Sequence, residues 1–232
     1  MTRPGAMIRL RNGADGFEFD AYHVPPGDAR RGGLVLVQEI FGVNDGIKDL
    51  ADGFADQGYE VIAPALFDRI EPGFLASPAT PEDLARARET AGKTDWAKTM
   101  RDVQATIDAL APPVFITGFC WGGSVAFLAA GRCTGLAASA GFYGRQIVNF
   151  LGETPKCPTI LHYGRTDHSI PLTDVDKVAE AYPDLPIWLY DAGHGFMSKE
   201  RKDYAPDAAH LARLRTLQLF HKAAGQKGEM GG

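Results

Sequence analysis

The sequence predicts an α/β protein with a mostly parallel, twisted sheet of about seven or eight strands and helices on both faces. Short, continuous apolar runs such as residues 34–37 (LVLV) and 114–117 (VFIT) are typical of strands buried on both faces. Segments with the helical repeat alternate with these runs along the chain. Such a sheet binds its ligands at the carboxyl ends of its strands, so we expect the functional residues there.

The individual elements follow one another in a regular order. Residues 7–10 and 17–23, separated by the turn signal Asn12-Gly13, predict a hairpin at one edge of the sheet. Apolar runs predict the remaining strands at residues 34–37, 60–63, 114–117, 136–140, 159–162 and 187–190. Helical periodicity predicts helices at residues 47–57, 81–91, 96–110, 124–130, 175–181 and 206–223.

Length and composition restrict the class of protein. The chain has 232 residues, is 45% hydrophobic and carries a formal net charge of −5, which predicts one folded domain over residues 1–232 and excludes disorder and collagen. We expect a possible lid at residues 70–94 and a frayed tail at residues 225–232. The absence of basic runs excludes a nucleic-acid footprint. The expected partner is a small molecule, and the expected state is a monomer or weak homodimer.

The cysteines and the hydropathy of the sequence predict the cellular compartment of the protein. The three cysteines, Cys120, Cys133 and Cys157, lack the close pairing of a redox or zinc motif, which predicts reduced thiols. No segment approaches the ~20 apolar residues of a membrane span, and no apolar stretch near the N-terminus has the length of a signal peptide. We therefore expect a cytoplasmic protein that makes no membrane contact.

The strongest chemical signal is the segment 118–123 (GFCWGG), between a predicted strand and a predicted helix. It has the spacing of a nucleophile elbow, in which glycines flank a nucleophile held on a sharp turn. Here the nucleophile would be Cys120, and the adjacent helix N-terminus favours negative charge on it. The backbone N–H of Trp121 would then point to where a substrate oxyanion develops. The alternative is a tight turn with an inert cysteine.

Two residues further along the chain support the catalytic interpretation. In α/β-hydrolases an acid and then a histidine follow the nucleophile, each just beyond a later strand. Asp167 follows the predicted strand 159–162, and His194 follows the strand 187–190. His194 would transfer the proton and Asp167 would orient it. Asp174 and Asp176 compete with Asp167 but lie in a helical pattern, and His162 and His168 fit no standard zinc spacing, so we expect no metal and no cofactor.

Several segments together resemble one family, the dienelactone hydrolases (carboxymethylenebutenolidases), which are cysteine-using α/β-hydrolases. The resemblance spans most of the chain from Leu34 onward. The matching segments are 38–42 (QEIFG), 57–59 (QGY), 66–69 (LFDR), 118–123 (GFCWGG), 142–144 (FYG), 164–167 (GRTD) and 192–194 (AGH). The cysteine elbow combined with QEIFG is more specific than the elbow alone.

The resemblance implies roles for particular residues. Cys120, Asp167 and His194 would form the catalytic triad, and the backbone N–H groups of Ile40 and Trp121 the oxyanion hole. In the family, a carboxylate equivalent to Glu39 meets the resting thiol until substrate displaces it. A glutamate directly after a buried strand is also costly to bury unless it is paired, which independently suggests a role at the site.

The expected substrate-binding residues are Arg69, Phe41, Tyr143 and Ser198. Arg69 is the expected partner of Glu39, and it would also suit a bidentate clamp on a substrate carboxylate. Tyr143 matches a pocket tyrosine of similar proteins. Ser198 stands where the family usually carries a second arginine, and Lys199 and Arg201 are possible substitutes.

Three functions are compatible with these residues. The first is opening of a dienelactone-like enol-lactone, a reaction of the carboxymethylenebutenolide-to-maleylacetate type, through a cysteine acyl-enzyme. The second is a general carboxylesterase or thioesterase that uses the same triad. The third is a non-catalytic binding or redox-sensing protein in which Cys120 is an oxidisable thiol; it leaves the ordered acid and histidine unexplained.

Overall fold

The computed structural model describes residues 5–27 and 29–225, in which eight strands form one sheet in the order β1-β2-β4-β3-β5-β6-β7-β8. All pairings from β4 through β8 are parallel, and only the pairings of β1 with β2 and of β2 with β4 are antiparallel. The strands are β1 (Ala6–Arg11), β2 (Glu18–Val24), β3 (Gly32–Val37), β4 (Tyr59–Pro64), β5 (Val114–Phe119), β6 (Leu136–Phe142), β7 (Thr159–Gly164) and β8 (Ile187–Tyr190). The predicted fold class and the hairpin at the sheet edge are confirmed.

Helices follow the parallel strands and cover the sheet. They are α1 (Asp45–Ala55), α2 (Pro81–Gly92), α3 (Trp96–Asp108), α4 (Trp121–Arg132), α5 (Leu172–Ala181) and α6 (Pro206–Gly225). A 3₁₀ helix, Arg145–Asn149, follows β6 and was not predicted because five residues are too short to show a period. Among the described residues, no helix is both long and apolar enough to cross a membrane.

The core lies on both faces of the sheet, as the alternation of side chains along β3 shows. Leu34 and Leu36 pack on one face with α1 and α6, whereas Val35 and Val37 pack on the other with α3 and α4. Every residue of β3 is buried. A central strand covered on both faces explains the continuous apolar run in the sequence, since neither face can carry a polar residue without cost.

The boundaries differ from the predicted ones at two places that concern function. Helix α4 begins at Trp121, three residues before the predicted start, because the chain reverses in a single residue at Cys120. Residues 70–94 contain an irregular stretch and then α2, whose N-cap is Thr80. The irregular stretch is fastened to the loop after β3, since the Ala76 N–H donates to the Phe41 carbonyl at 3.1 Å. The predicted frayed tail lies outside the described residues beyond Gly225.

Candidate active site

The turn between β5 and α4 has the backbone geometry of a nucleophile elbow. Cys120 adopts φ 55° and ψ −117°, a conformation that side-chain-bearing residues rarely adopt and that costs about 1–3 kcal/mol. A Cβ on Gly118 would lie 2.0 Å from the Gly122 carbonyl oxygen, and one on Gly122 would lie 2.4 Å from that of Gln38. Only glycine fits at these two positions, so the spacing in the sequence has a steric cause.

Three side chains from separate loops form one chain of contacts at this elbow. His194 Nε2 lies 3.1 Å from Cys120 Sγ, and His194 Nδ1 lies 2.7 Å from Asp167 Oδ2. The Ser169 backbone N–H donates to the other oxygen of Asp167 at 2.7 Å and fixes the carboxylate. Asp167 follows β7 and His194 follows β8, so the parallel sheet brings both to its carboxyl edge.

The charges in this chain of contacts favour the protonated form of His194. Burial opposes a positive charge on His194, but the Cys120 sulfur and the Asp167 carboxylate together raise the pKa of His194 to about 10. With both ring nitrogens protonated, Nδ1 donates to Asp167 and Nε2 donates to the sulfur. A donating imidazolium beside a sulfur is one of the arrangements that favour the thiolate form of a cysteine.

Glu39 is buried beside this group without a full set of partners. Its Oε1 makes no hydrogen bond within the described residues, and its Oε2 lies 3.9 Å from Arg201 Nη1. Burial raises the pKa of Glu39, while Arg201, His194 and the nearby Tyr143 hydroxyl oppose that rise. Because Cys120 contacts His194 here, the thiol–carboxylate contact that the resemblance implies is not the one observed.

A cavity of about 400 Å³ opens above the elbow. Ile40 and Trp121, the expected oxyanion-hole residues, both line it. Trp121 is the first residue of α4, so its N–H is one of the donors that a helix leaves unpaired at its start. The other lining residues are Phe41, Leu84, Arg88, Ala91, Gly92, Thr94, Trp96, Cys120, Arg145, Gln146, Ser169, His194 and Arg201.

Arg69 does not occupy the position that the sequence suggested. Its Nε donates to Asp102 at 2.6 Å, its Nη2 donates to Asp15 at 3.0 Å, and the guanidinium covers the Phe17 ring. It does not line the cavity, and the cation nearest Glu39 is Arg201. The expectation that Arg69 pairs with Glu39 is wrong, because two aspartates that are distant in sequence bind its guanidinium instead.

Two other expected substrate-binding residues are buried and do not line the cavity. Tyr143 is fully buried at φ 39°, with its ring 5.1 Å from the His194 ring and its hydroxyl without a hydrogen bond of ordinary geometry. Ser198 is buried in the turn after His194, where its N–H donates to the Gly195 carbonyl. Tyr143 therefore packs against His194 and Ser198 forms the turn after it, whereas Phe41 does line the cavity.

Three arginines of the cavity wall have no motif in the sequence. Arg88 comes from α2, Arg145 from the start of the 3₁₀ helix and Arg201 from the loop after β8. Of the three, the sequence indicates only Arg201, as a substitute for the arginine that the family carries at the position of Ser198. Of the other two, a signal existed for Arg145 alone, since it follows the segment 142–144 at the carboxyl end of a strand.

The fold, the elbow and the ordered acid and histidine define an α/β-hydrolase. Comparison with known proteins gives the same class. The model of the Dienelactone hydrolase family matches residues 19–224. The carboxymethylenebutenolidases of Pseudomonas putida and Pseudomonas knackmussii are each 30% identical to this chain over 218 residues, which cover 89% of this chain and 92% of theirs.

A solved structure shows the same fold. It is a dienelactone hydrolase-like promiscuous phosphotriesterase from metagenomic libraries, with a TM-score of 0.75 and 20% identity over 95% of this chain and 98% of its own. At that identity the likeness concerns the fold only. The chain belongs to the dienelactone hydrolase family, a group of hydrolases, which confirms the expected family and the expectation of an enzyme.

Proposed function

We propose that this protein hydrolyses an activated ester or enol-lactone that carries a carboxylate, through an acyl-enzyme on Cys120. The 3.1 Å contact between Cys120 Sγ and His194 Nε2 is the observation that carries the proposal. A dienelactone-like ring, opened in the carboxymethylenebutenolide-to-maleylacetate sense, is the expected substrate type. The family membership and the carboxymethylenebutenolidases among the relatives support this choice.

The first half of the reaction forms a thioester. The Cys120 thiolate attacks the carbonyl carbon, and the negative charge moves to the carbonyl oxygen, which faces the backbone N–H groups of Ile40 and Trp121. The carbonyl re-forms as the bond to the enol oxygen breaks. His194 gives its Nε2 proton to the departing enolate, which leaves His194 neutral for the second half of the reaction.

The second half returns the enzyme to its starting state. Neutral His194 takes a proton from a water molecule, and the hydroxide attacks the thioester carbon. The carbon–sulfur bond breaks, so the acid is released and Cys120 is again a thiolate. Asp167 keeps the Nδ1 proton of His194 in place throughout and stabilises the imidazolium whenever it forms.

Charge in the cavity favours an anionic substrate. Arg201 lies beside Glu39 at the cavity wall and covers the Phe41 ring at 5.3 Å from its centroid. The contact between Arg201 and Glu39 is long, so the guanidinium is able to bind a substrate carboxylate instead. A guanidinium forms two parallel hydrogen bonds with such a carboxylate. Arg201 would thus supply the contact first expected of Arg69.

A second candidate is a general carboxylesterase or thioesterase with the same triad. The apolar side chains of Leu84, Trp96 and Phe41 on the cavity wall favour it, since they suit a neutral acyl chain. The two candidates differ in the charge of the preferred substrate and agree on the chemistry of Cys120.

Steady-state hydrolysis of cis-dienelactone and of p-nitrophenyl acetate tests the proposal. We expect wild type to favour the lactone, and Cys120→Ala to lose activity on both by about 10³-fold or more. Cys157→Ala, a change at a cysteine that lines a different groove, is the control and should retain both activities. Turnover of the neutral ester alone would favour the second candidate, and turnover that survives Cys120→Ala would reject the acyl-enzyme.

A further inference from the structure

The cavity above Cys120 is positively charged, although the protein as a whole is negatively charged. Arg88, Arg145 and Arg201 line it, and no aspartate or glutamate does so among the described residues. The chain as a whole has a formal net charge of −5. Three cations from three separate elements converge on one cavity, which general surface charge does not explain.

The three arginines differ in what they contact inside the protein. Arg201 is close to Glu39 and is 18% exposed. Arg88 and Arg145 are exposed, and neither makes an ion pair or a side-chain hydrogen bond within the described part of the chain. Arg86, two residues before Arg88 on the same helix, is bound to Glu71 and Asp83. The cavity-facing arginine of α2 thus lacks the internal partners that its neighbour has.

Arg88 and Arg145 lie on different elements that line the same cavity. Trp96, at the start of α3, also lines the cavity, and its ring contacts the Phe150 ring directly after the 3₁₀ helix at 5.1 Å between centroids. The start of α3 and the residue after the 3₁₀ helix are therefore in contact at this cavity. Arg201 lies instead with Phe41 and Glu39, next to His194.

The volume of the cavity exceeds what a small lactone ring requires. A cavity of ~150 Å³ accepts a benzene ring, and this one has about 400 Å³. There is room for a ring at Cys120 and for a further polar group toward Arg88 and Arg145. Guanidinium groups bind carboxylates in a bidentate geometry, so a carboxylate is the polar group that suits this position.

We propose that the natural substrate is a dicarboxylate. One carboxylate would bind Arg201 near the scissile bond, and the second would bind at the wall formed by Arg88 and Arg145. This inference rests on the proposed function and adds the substrate class, because a lactone with a single carboxylate would leave Arg88 and Arg145 without a ligand.

A series of p-nitrophenyl esters with a common leaving group tests the proposal. The neutral member is the butyrate, the second is the glutarate monoester with one carboxylate, and the third is a tricarballylate monoester with two. We expect wild type to favour the third over the second by about ten-fold in kcat/KM, the effect of one charged hydrogen-bonded contact. Arg88→Gln and Arg145→Gln should each reduce this preference, and Arg201→Gln should reduce the preference for glutarate over butyrate.

Lys93→Gln is the matched control, since it removes one positive charge at the end of α2 from a side chain that does not line the cavity and pairs with Glu89. It should keep both preferences. Equal kcat/KM for the second and third esters in wild type, or equal preferences in Arg88→Gln, Arg145→Gln and Lys93→Gln, would overturn the proposal.

Two further measurements separate the remaining explanations. Tricarballylate and inorganic phosphate are compared as inhibitors of p-nitrophenyl butyrate hydrolysis, which shows which kind of anion the arginines prefer. If phosphate inhibits more strongly than tricarballylate and Arg88→Gln abolishes that inhibition, the dicarboxylate proposal is rejected. Butyrate hydrolysis by Cys120→Ala tests the proposed function separately. If Cys120→Ala loses that activity while wild type has equal kcat/KM for all three esters, the proposed acyl-enzyme stands and only the dicarboxylate proposal is rejected.

Discussion

Two histidines near the carboxyl edge of the sheet show how neighbours decide the charge of one side-chain type. His162 lies within β7, and His194 lies in the loop after β8, the neighbouring strand. Both are largely enclosed, yet burial lowers the pKa of His162 to about 3, while the pKa of His194 is raised to about 10. Burial therefore keeps His162 neutral, whereas the neighbours of His194 favour its protonated form.

The partners of the two rings account for the difference. Within the described residues, the hydrogen-bond partners of His162 are both hydroxyls, Tyr190 at 2.8 Å from Nδ1 and Thr216 at 3.1 Å from Nε2. The Thr216 hydroxyl donates its proton to the Ala212 carbonyl, so its oxygen accepts a hydrogen bond from the Nε2–H of His162. Nδ1 of His162 therefore carries no proton and accepts a hydrogen bond from the Tyr190 hydroxyl. His194 has a carboxylate and a sulfur instead. Hydroxyls satisfy a neutral ring, whereas anions hold a proton on it.

The largest expected effect comes from removing the anion beside His194. Asp167→Asn keeps an oxygen for the Ser169 N–H but replaces the carboxylate, so the pKa of His194 should fall and kcat for p-nitrophenyl acetate should drop by about 10³-fold or more. Histidine NMR titration and steady-state kinetics measure both effects. Asp174→Asn, at an aspartate of α5 that pairs with Lys177, is the control and should change neither. An unchanged His194 pKa would contradict the electrostatic explanation.

The next effect concerns stability at His162. His162→Ala should lower the free energy of unfolding by about 3 kcal/mol, because it leaves a cavity in the core and removes the hydrogen bond with the Tyr190 hydroxyl. Urea denaturation at pH 7 measures the change. The activity per folded molecule should remain that of wild type, and a large loss of kcat in the folded variant would show that His162 takes part in the reaction.

The same histidine should make stability depend on pH. Above about pH 6.5 the His162 ring is neutral in both the folded and the unfolded chain, so it contributes no pH dependence there. Between about pH 6.5 and pH 3 the unfolded chain binds a proton that the folded chain refuses, and stability should fall by roughly 1.4 kcal/mol per pH unit from this group.

His162→Gln isolates that contribution because glutamine does not titrate. The difference in unfolding free energy between wild type and variant, measured in urea from pH 7 to pH 4.5, should narrow as the pH falls. A constant difference would mean that the folded protein protonates His162 as readily as the unfolded chain does.

The smallest effect is expected at His168, the residue directly after Asp167. Its side chain is exposed, so His168→Gln should change the unfolding free energy by no more than about 0.5 kcal/mol and leave kcat unaltered. Thermal unfolding and p-nitrophenyl acetate kinetics measure this. A marked loss of activity would indicate that the chain of contacts extends beyond Asp167.

Much of the fold could be predicted because its signals are local. The buried strands appear as apolar runs, since a strand covered on both faces tolerates no polar side chain, and the elbow appears as a glycine spacing, since a Cβ would clash there. The order of Cys120, Asp167 and His194 could also be predicted, because each follows a strand and parallel strands end at one edge.

The ionic contacts could not be predicted in the same way. Arg69 ends a family segment and was expected at the site, but it pairs with Asp102 and Asp15, which lie 33 and 54 residues away in the chain. Arg201 reaches Glu39 from a position outside the matching segments. A long, flexible cation has several carboxylates within reach of its backbone position, so its partner depends on packing between distant elements.

The sequence by itself determined the α/β architecture, the elbow and the family, because steric and hydrophobic constraints act on neighbouring residues and leave a pattern there. The tertiary structure alone decided which histidine favours its charged form, which arginine faces the cavity and which side chains pack against the site. Those properties depend on distances of a few ångströms between residues far apart in the chain, and electrostatic energy changes steeply over such distances in a medium of low polarity.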